Sequence, residues 1–232
     1  MYKRILLKIS GEALADGQKN TIGPQKIEHV VSQLVRIHDA GIEIAVVVGG
    51  GNFWRGRQGI NMDRVTADHM GMLATIMNAL ALQDAIEKKG VPTRVQTALS
   101  IPAVAEPYIL RKALRHFEQK RIVIFACGTG NPYFSTDSGA ALRAAEIKAD
   151  VLLMAKNVSG LYDSDPKKNP AAKKLACATY MDVINKELGL MDITAITMCK
   201  ENNIPIIAFG LNDGDNLYRA AMGEKIGTEI GA

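Results

Sequence analysis

Residues 42–57 read IEIAVVVGGGNFWRGR, a run of branched apolar side chains that breaks into three consecutive glycines. The run is too continuously apolar for a sheet with one wet face, so it predicts a strand covered on both sides. Gly49, Gly50 and Gly51 let the backbone come close to a phosphate and aim N–H groups at it. No Gly-Lys-Ser/Thr follows, so the loop lacks the lysine and hydroxyl that a P-loop carries in its own sequence. Arg55 and Arg57 follow instead, and a guanidinium fork can grip phosphate with two bonds. A tight turn with solvated arginines accounts for the stretch equally well, and Arg57 either holds a phosphate or faces solvent.

Outward from this stretch, strand and helix patterns alternate along the whole chain. Residues 4–9 (RILLKI) predict a buried strand that turns at Ser10-Gly11-Glu12. Gly23-Pro24 open a helix on which Ile27, Val30, Val31, Leu34 and Ile37 recur at helical spacing until Gly41. A long Met- and Ala-rich helix is predicted over about residues 63–89; Met62, Met70, Met72 and Met77 read as core or subunit-interface packing rather than as ligands. A strand at 91–96, a helix at 108–120, a buried strand at 121–127, a helix at 138–148 and a strand at 151–155 follow. A polar loop (157–170), a helix (192–202), a strand (204–209), a short helix and an edge strand complete the chain. Such alternation, with strands apolar on both faces, predicts a three-layer α/β sandwich around a mostly parallel sheet, in one domain. Ligands in such sheets sit beyond the carboxyl ends of the strands. Glycine-bearing loops are expected there after three strands, at Ser10-Gly11, at 49–51 and at Gly128-Thr129-Gly130.

Composition narrows the function classes. The 232 residues are 47% hydrophobic and 22% charged, ordinary values for a globular chain able to bury a sizeable core. A net charge of +4 suits anionic ligands, but with aromatics at 5% it does not call for nucleic acid, and none is expected. Cys127, Cys177 and Cys199 show no CxxC spacing and read as reduced, buried thiols of a cytoplasmic protein. The start, MYKRILLKISG, is not a signal peptide, and no stretch reaches the roughly 20 apolar residues of a membrane span, so no membrane partner is expected.

Several charged residues fall at strand or helix ends. Lys8 lies near the end of the first strand, where a buried ammonium is costly unless it faces an anion. Thr129, Asn131, Ser135 and Thr136 crowd polar groups ahead of a helix whose N-terminus favours an anion. Asp137 fits an N-cap as well as a site role, and Asp192, opening a later helix, does the same. Asp150 ends a helix where the dipole disfavours a negative charge, and Lys156 follows the strand VLLMA.

The stretches KISGEAL, VVVGGGNFWRG, DHMGMLATIMNALAL, GTGNPYFSTDSGAALRA and MDITAITMCKENNIPI resemble the bacterial-type uridylate (UMP) kinases of the amino acid kinase superfamily, from Lys8 to about residue 230. The resemblance implies transfer of the ATP γ-phosphoryl group to UMP, with Mg²⁺. It implies that ATP lies along Lys8, Ile9, Ser10, Gly11, Gly51 and Arg55, with its adenosine near Lys156, Asn157, Tyr162 and Asp165. UMP is then held by Gly50 and Arg55 at its phosphate and by Asp68 at its ribose or nearby hydroxyls. Its uracil side falls to Thr129, Gly130, Asn131, Pro132, Tyr133, Phe134, Ser135 and Thr136. Lys8, Arg55, Asp137 and Asp192 are the implied catalytic residues, the two aspartates sharing the orienting of Lys8 and the holding of Mg²⁺ in an order the sequence leaves open. Asp16, Gly17, Gln18, Lys19, Asn20 and Thr21 match a nucleotide-effector loop, for GTP as activator and UTP as inhibitor, and the family is typically hexameric. One departure is NVSGLYDSDP, with Ser159 where the family pattern has V-D-G.

A phosphomonoester has a second pKa of about 6, so a phosphate acceptor is mostly dianionic at neutral pH and needs no general base. His29, His38, His69 and His116 accordingly show no pairing that suggests a catalytic or metal site. A kinase of a carboxylate or carbamate is disfavoured by GTGNPYFSTD, and a dinucleotide-binding oxidoreductase by the absence of G-x-G-x-x-G after the first strand.

Overall fold

The computed structural model describes residues 2–17, 21–54, 62–164, 169, 171–211 and 214–231. Strand β1 (Arg4–Ile9) turns through a short 3₁₀ segment into helix α1 (Pro24–Asp39), and β2 (Glu43–Val48) leads to the long α2 (Arg64–Glu87). Next come β3 (Thr93–Thr97), β4 (Glu106–Pro107), α3 (Leu110–Glu118), β5 (Ile122–Ala126), α4 (Thr136–Glu146) and β6 (Val151–Lys156). The chain then forms β7 (Cys177–Thr179), α5 (Tyr180–Asn185), α6 (Ile193–Glu201), β8 (Ile206–Gly210), α7 (Asn216–Ala221) and β9 (Thr228–Gly231).

Among the described residues the strands form one sheet in the order β4-β3-β5-β2-β1-β6-β8-β9-β7, parallel except where β9 runs against β8. β1 is central, paired with β2 and β6, and Ile5, Leu6, Leu7 and Ile9 are fully buried in it. Each such side chain contributes about 1.5–3 kcal/mol of burial. Period-2 alternation splits the sheet into two cores: Ile5, Leu7 and Ile9 face α1, α2 and α7, whereas Leu6 faces the layer of α3 to α6. This is the three-layer sandwich that the alternating pattern predicts.

Several local expectations are revised. The closing strand β9 is not an edge, because β7 pairs alongside it, and β7 and α5 lie in a stretch to which no element was assigned. β7 is three residues long and mostly exposed, so it carries no apolar run to read. Cys177 is consequently exposed, while Cys127 and Cys199 are buried as expected. Asp150 does not strain a helix end: α4 stops at Glu146, and the Asp150 carboxylate accepts the N–H groups of Lys3 and Arg4 at 2.6 and 2.9 Å, fixing the entry to β1. Met72 packs in the core, whereas Met77 is 46% exposed on α2 beside Leu73 at 48%. No described helix is long and apolar enough to cross a membrane.

Candidate active site

The loops after β1, β2 and β5 converge at the carboxyl ends of neighbouring strands. Their backbones touch: a Cβ on Gly11 would lie 2.4 Å from Asn52 Oδ1, 2.7 Å from Gly51 N and 2.9 Å from Gly49 O. Any side chain there would push the first two loops apart. Likewise a Cβ on Gly139 of α4 would lie 2.9 Å from the Gly128 backbone, so the helix start is packed directly on the third loop. The second loop is held by a buried amide pair. Asn78 of α2 donates to Gly49 O at 2.7 Å and to Asn52 Oδ1 at 2.8 Å, and Asn52 donates to Asn78 Oδ1 at 3.1 Å and to Thr21 O at 2.9 Å. On the third loop Cys127 has φ 67° and Gly128 φ 55°. The left-handed Cys127, whose N–H donates to Thr75 Oγ1 at 2.7 Å, holds about 1–2 kcal/mol of strain beside the cleft.

The cleft between these loops has a volume of about 610 Å³ and is lined by Gly50, Gly51, Asp68, Thr129, Asn131, Tyr133, Phe134, Ser135, Thr136, Asp137 and Asp192, together with Lys156. On its wall, Asp68 Oδ2 accepts from Arg64 Nε and from Tyr133 N, both at 2.8 Å, and Arg64 also stacks over the Tyr133 ring at 5.2 Å. Asp68 thus ties α2 to the third loop.

Asp137 lines the cleft, and its Oδ1 meets Lys8 Nζ at 2.6 Å in a close ion pair between two largely buried side chains, 15% and 8% exposed. The N-cap of α4 is Ser135, whose Oγ accepts from Asp137 N at 2.9 Å, so Asp137 is not a cap and its carboxylate is free to pair with Lys8. Burial pushes the Asp137 pKa up, but Lys8 and then Lys156 outweigh it and hold the carboxyl below its ordinary value. Lys156 is lowered from its ordinary value: burial dominates, Asp137 and Asp192 pull it up, and Lys8 pushes it further down. Asp192 does cap its helix, accepting Ala195 N at 2.8 Å. It also receives the hydroxyls of Ser135 and, at 3.0 Å, Ser138, locking α6 to the start of α4.

A second cavity of about 630 Å³ adjoins the first, sharing Lys156, Gly189 and Leu190 and lined further by Tyr162, Asp163, Ser164 and Glu187. Ser159 Oγ and the Tyr162 hydroxyl lie 3.0 Å apart in its wall. Asn157 is exposed and lines neither cavity; Gly130 and Pro132 belong to the third loop without lining the cleft. Ile9 is buried in β1, and Ser10 Oγ caps the following turn by accepting Ala13 N at 3.2 Å. Thr21 donates to Asp16 Oδ1 at 2.6 Å, and Gly17 has φ 93°. Arg55, Arg57, Asp165, Gln18, Lys19 and Asn20 lie outside the described residues.

Sequence reasoning missed Arg64, Gly71 and Gly189–Met191 as lining residues, while Trp54 and Gly128 line the cleft from two of the glycine loops it singled out. For Arg64 a signal existed, since Arg64 and Asp68 are spaced i,i+4 on a helical pattern. The 189–191 segment bears only glycine and apolar residues, which carry no chemistry to notice.

A parallel sheet whose strand ends hold a buried lysine–aspartate pair, between a glycine loop and a helix N-terminus, defines a phosphate-handling protein of the α/β class. The amino acid kinase family matches residues 3–209, and the chain belongs to that family. Within it the chain stands with the bacterial UMP kinases. The UMP kinase of Bacillus anthracis is 39% identical with a TM-score of 0.95, the match covering 99% of this chain and 96% of that one. The UMP kinase of Ureaplasma parvum is 37% identical with a TM-score of 0.93 over 100% of both chains. The uridylate kinase of Archaeoglobus fulgidus, 24% identical with a TM-score of 0.72 over 97% of this chain and 99% of that one, shares the fold.

Proposed function

We propose that the protein transfers the γ-phosphoryl group of ATP to UMP, giving ADP and UDP for pyrimidine nucleotide synthesis in the cytoplasm. The observation that carries this reading is the pair of adjoining cavities, about 610 and 630 Å³, joined at Lys156, the first of them lined by Asp137, whose carboxylate pairs with Lys8. Each is large enough for a nucleotide-sized ligand, and the names of the two bacterial relatives supply the acceptor. UMP takes the cavity bounded by Asp68 and the 129–136 loop, with its phosphate toward Gly50; a grip on that phosphate by Arg55 rests on the family resemblance alone. ATP takes the cavity of Tyr162 and Asp163 and extends its phosphates toward Gly51 and the loop after β1.

The acceptor oxygen is already anionic, so no proton has to be removed. The work is to hold two anions together and to compensate charge on the group in transit. Lys8 supplies positive charge from beneath, and Asp137 orients its ammonium. Asp192 keeps Ser135 and Ser138 in position, and with them the acceptor loop. Among the described residues no group of three or more His, Cys, Asp or Glu forms a metal cage. Mg²⁺ brought by ATP would be held mainly through phosphate oxygens and waters. Asp137, whose oxygens are not consumed by capping, is the carboxylate fitted to hold a metal-bound water. When bound, the metal neutralises charge on the ATP phosphates.

The reading extends to regulation by GTP and UTP at the 16–21 loop, supported by the bond from Asn52 to Thr21 O that links this loop to the glycine loop. It extends also to a homo-oligomer, a hexamer by family resemblance, supported by the exposed Leu73 and Met77 on α2. Initial rates of ADP release with UMP, CMP, AMP, dUMP and N-acetylglutamate, with and without GTP and UTP, test it. UMP is expected to lead the panel, and N-acetylglutamate leading would overturn the assignment.

A further inference from the structure

Lys156 ends β6 at the junction of the two cavities and lines both. β6 runs beside β1 with Met154 opposite Lys8, so Lys156 stands one pleat beyond Lys8 on the same face. Its backbone is fixed by Leu211, whose N–H donates to Lys156 O at 2.9 Å. Its ammonium, in contrast, has no hydrogen-bond or ion-pair partner among the described residues. Lys8 already spends its charge on Asp137 at 2.6 Å. Of the two lysines, Lys156 is therefore the one with no carboxylate in contact, Asp137 and Asp192 acting on it only at a distance, and a partly buried ammonium without a contact partner is costly until an anion arrives. An adenosine carries no such anion. A phosphoryl group passing between donor and acceptor does, and the junction is where it passes.

We propose that Lys156 is a catalytic residue that contacts the transferring phosphoryl group. This rests on γ-phosphoryl transfer from ATP as proposed above, and it moves Lys156 from the adenosine end to the reacting centre. The bond between the γ-phosphorus and the β–γ bridging oxygen breaks, its electron pair leaving with ADP, while an acceptor phosphate oxygen forms the new P–O bond. No proton is transferred. The ammonium compensates the charge on the γ-oxygens throughout, sharing that task with Lys8.

Lys156→Ala and Lys156→Arg test this with two readouts. Calorimetric titration with ADP and with the non-hydrolysable β,γ-imido analogue of ATP, both with Mg²⁺, isolates the γ-phosphate. Lys156→Ala is expected to bind ADP within about twofold of wild type and to lose tenfold or more in affinity for the analogue, as for a lost charge-assisted contact. At saturating substrates its kcat is expected to fall about 100-fold, with the acceptor KM within about threefold and partial recovery in Lys156→Arg. Its melting temperature is expected to equal or exceed that of wild type, because the cost of burying the ammonium outweighs the attraction of Asp137 and Asp192. Equal losses for ADP and the analogue, or a kcat equal to wild type, would overturn the assignment. The titration needs no acceptor, so a wild-type protein that binds the analogue but ignores UMP would refute the UMP reading alone and leave the titration to decide on Lys156. A wild-type protein that binds neither nucleotide would overturn both.

Discussion

Replacing Asp137 by Asn removes the one carboxylate that meets Lys8, in a contact of 2.6 Å between side chains 8% and 15% exposed. Among the described residues it leaves Lys156, which Lys8 also repels, with Asp192 as the remaining carboxylate acting on it, itself engaged with Ser135, Ser138 and Ala195. Breaking a buried pair by removing one partner costs about 3–5 kcal/mol, and the Asn amide oxygen, still an acceptor, keeps the loss near the lower end. In a domain of this size each kcal/mol is worth about 2–4 °C, so the melting temperature at pH 7 is expected to drop by roughly 6–12 °C. The sign of the pH dependence is a second, independent check. The folded-state pKa of Asp137 is depressed, so its contribution is present above the unfolded value of about 3.9 and is lost as pH falls through the folded value. The gap between wild type and Asp137→Asn in thermal melts should therefore be constant around neutrality and close in acid. A Lys8→Met, Asp137→Asn double-mutant cycle should show strong coupling. Melting within about 2 °C of wild type at pH 7, below the shift expected for a single kcal/mol, or a gap that widens in acid, would refute the reasoning.

The remaining predictions address the site and the thiols. Lys8→Ala should cut turnover by about 10²–10³-fold while leaving UMP binding mostly intact, and normal turnover would remove Lys8 from the mechanism. Asp68→Asn should raise the UMP KM about tenfold or more with little change in the ATP KM, since a charge-assisted contact is lost; an unchanged UMP KM would exclude that role. In the native protein Cys177 alone should react quickly with a disulfide reagent. Cys127 and Cys199 are buried, and burial pushes the Cys199 thiol up to about 12. More than one fast equivalent would contradict the packing.

Much of the fold could be read because its central strands are buried on both faces. RILLKI, IEIAVVV and VLLMAK leave little ambiguity, and the glycines that follow mark the loops. The two edges were not legible. β4 has two residues and β7 three, too few for a period to register, and their burial is partial. Of the site, Lys8 stood out because a lysine inside an apolar run demands an anion. Its partner did not, because pairing Lys8 with Asp137 depends on α4 starting at Thr136, so that Ser135 takes the cap. Residue type alone could not decide between a capping and a paired aspartate. Lys156 was visible as a strand-end lysine, but its place between two cavities depends on Gly189 and Leu190, which line both cavities with it, over a separation no local pattern spans.

The central claim is that a UMP phosphate oxygen receives the γ-phosphoryl group of ATP. The most direct measurement incubates the purified protein with γ-labelled ATP, Mg²⁺ and UMP and separates the nucleotides. The expected result is label in UDP, one UDP formed per ADP, and no UDP with Lys8→Ala on the same time scale. ADP formed without labelled UDP, or label recovered as free phosphate, would contradict the account.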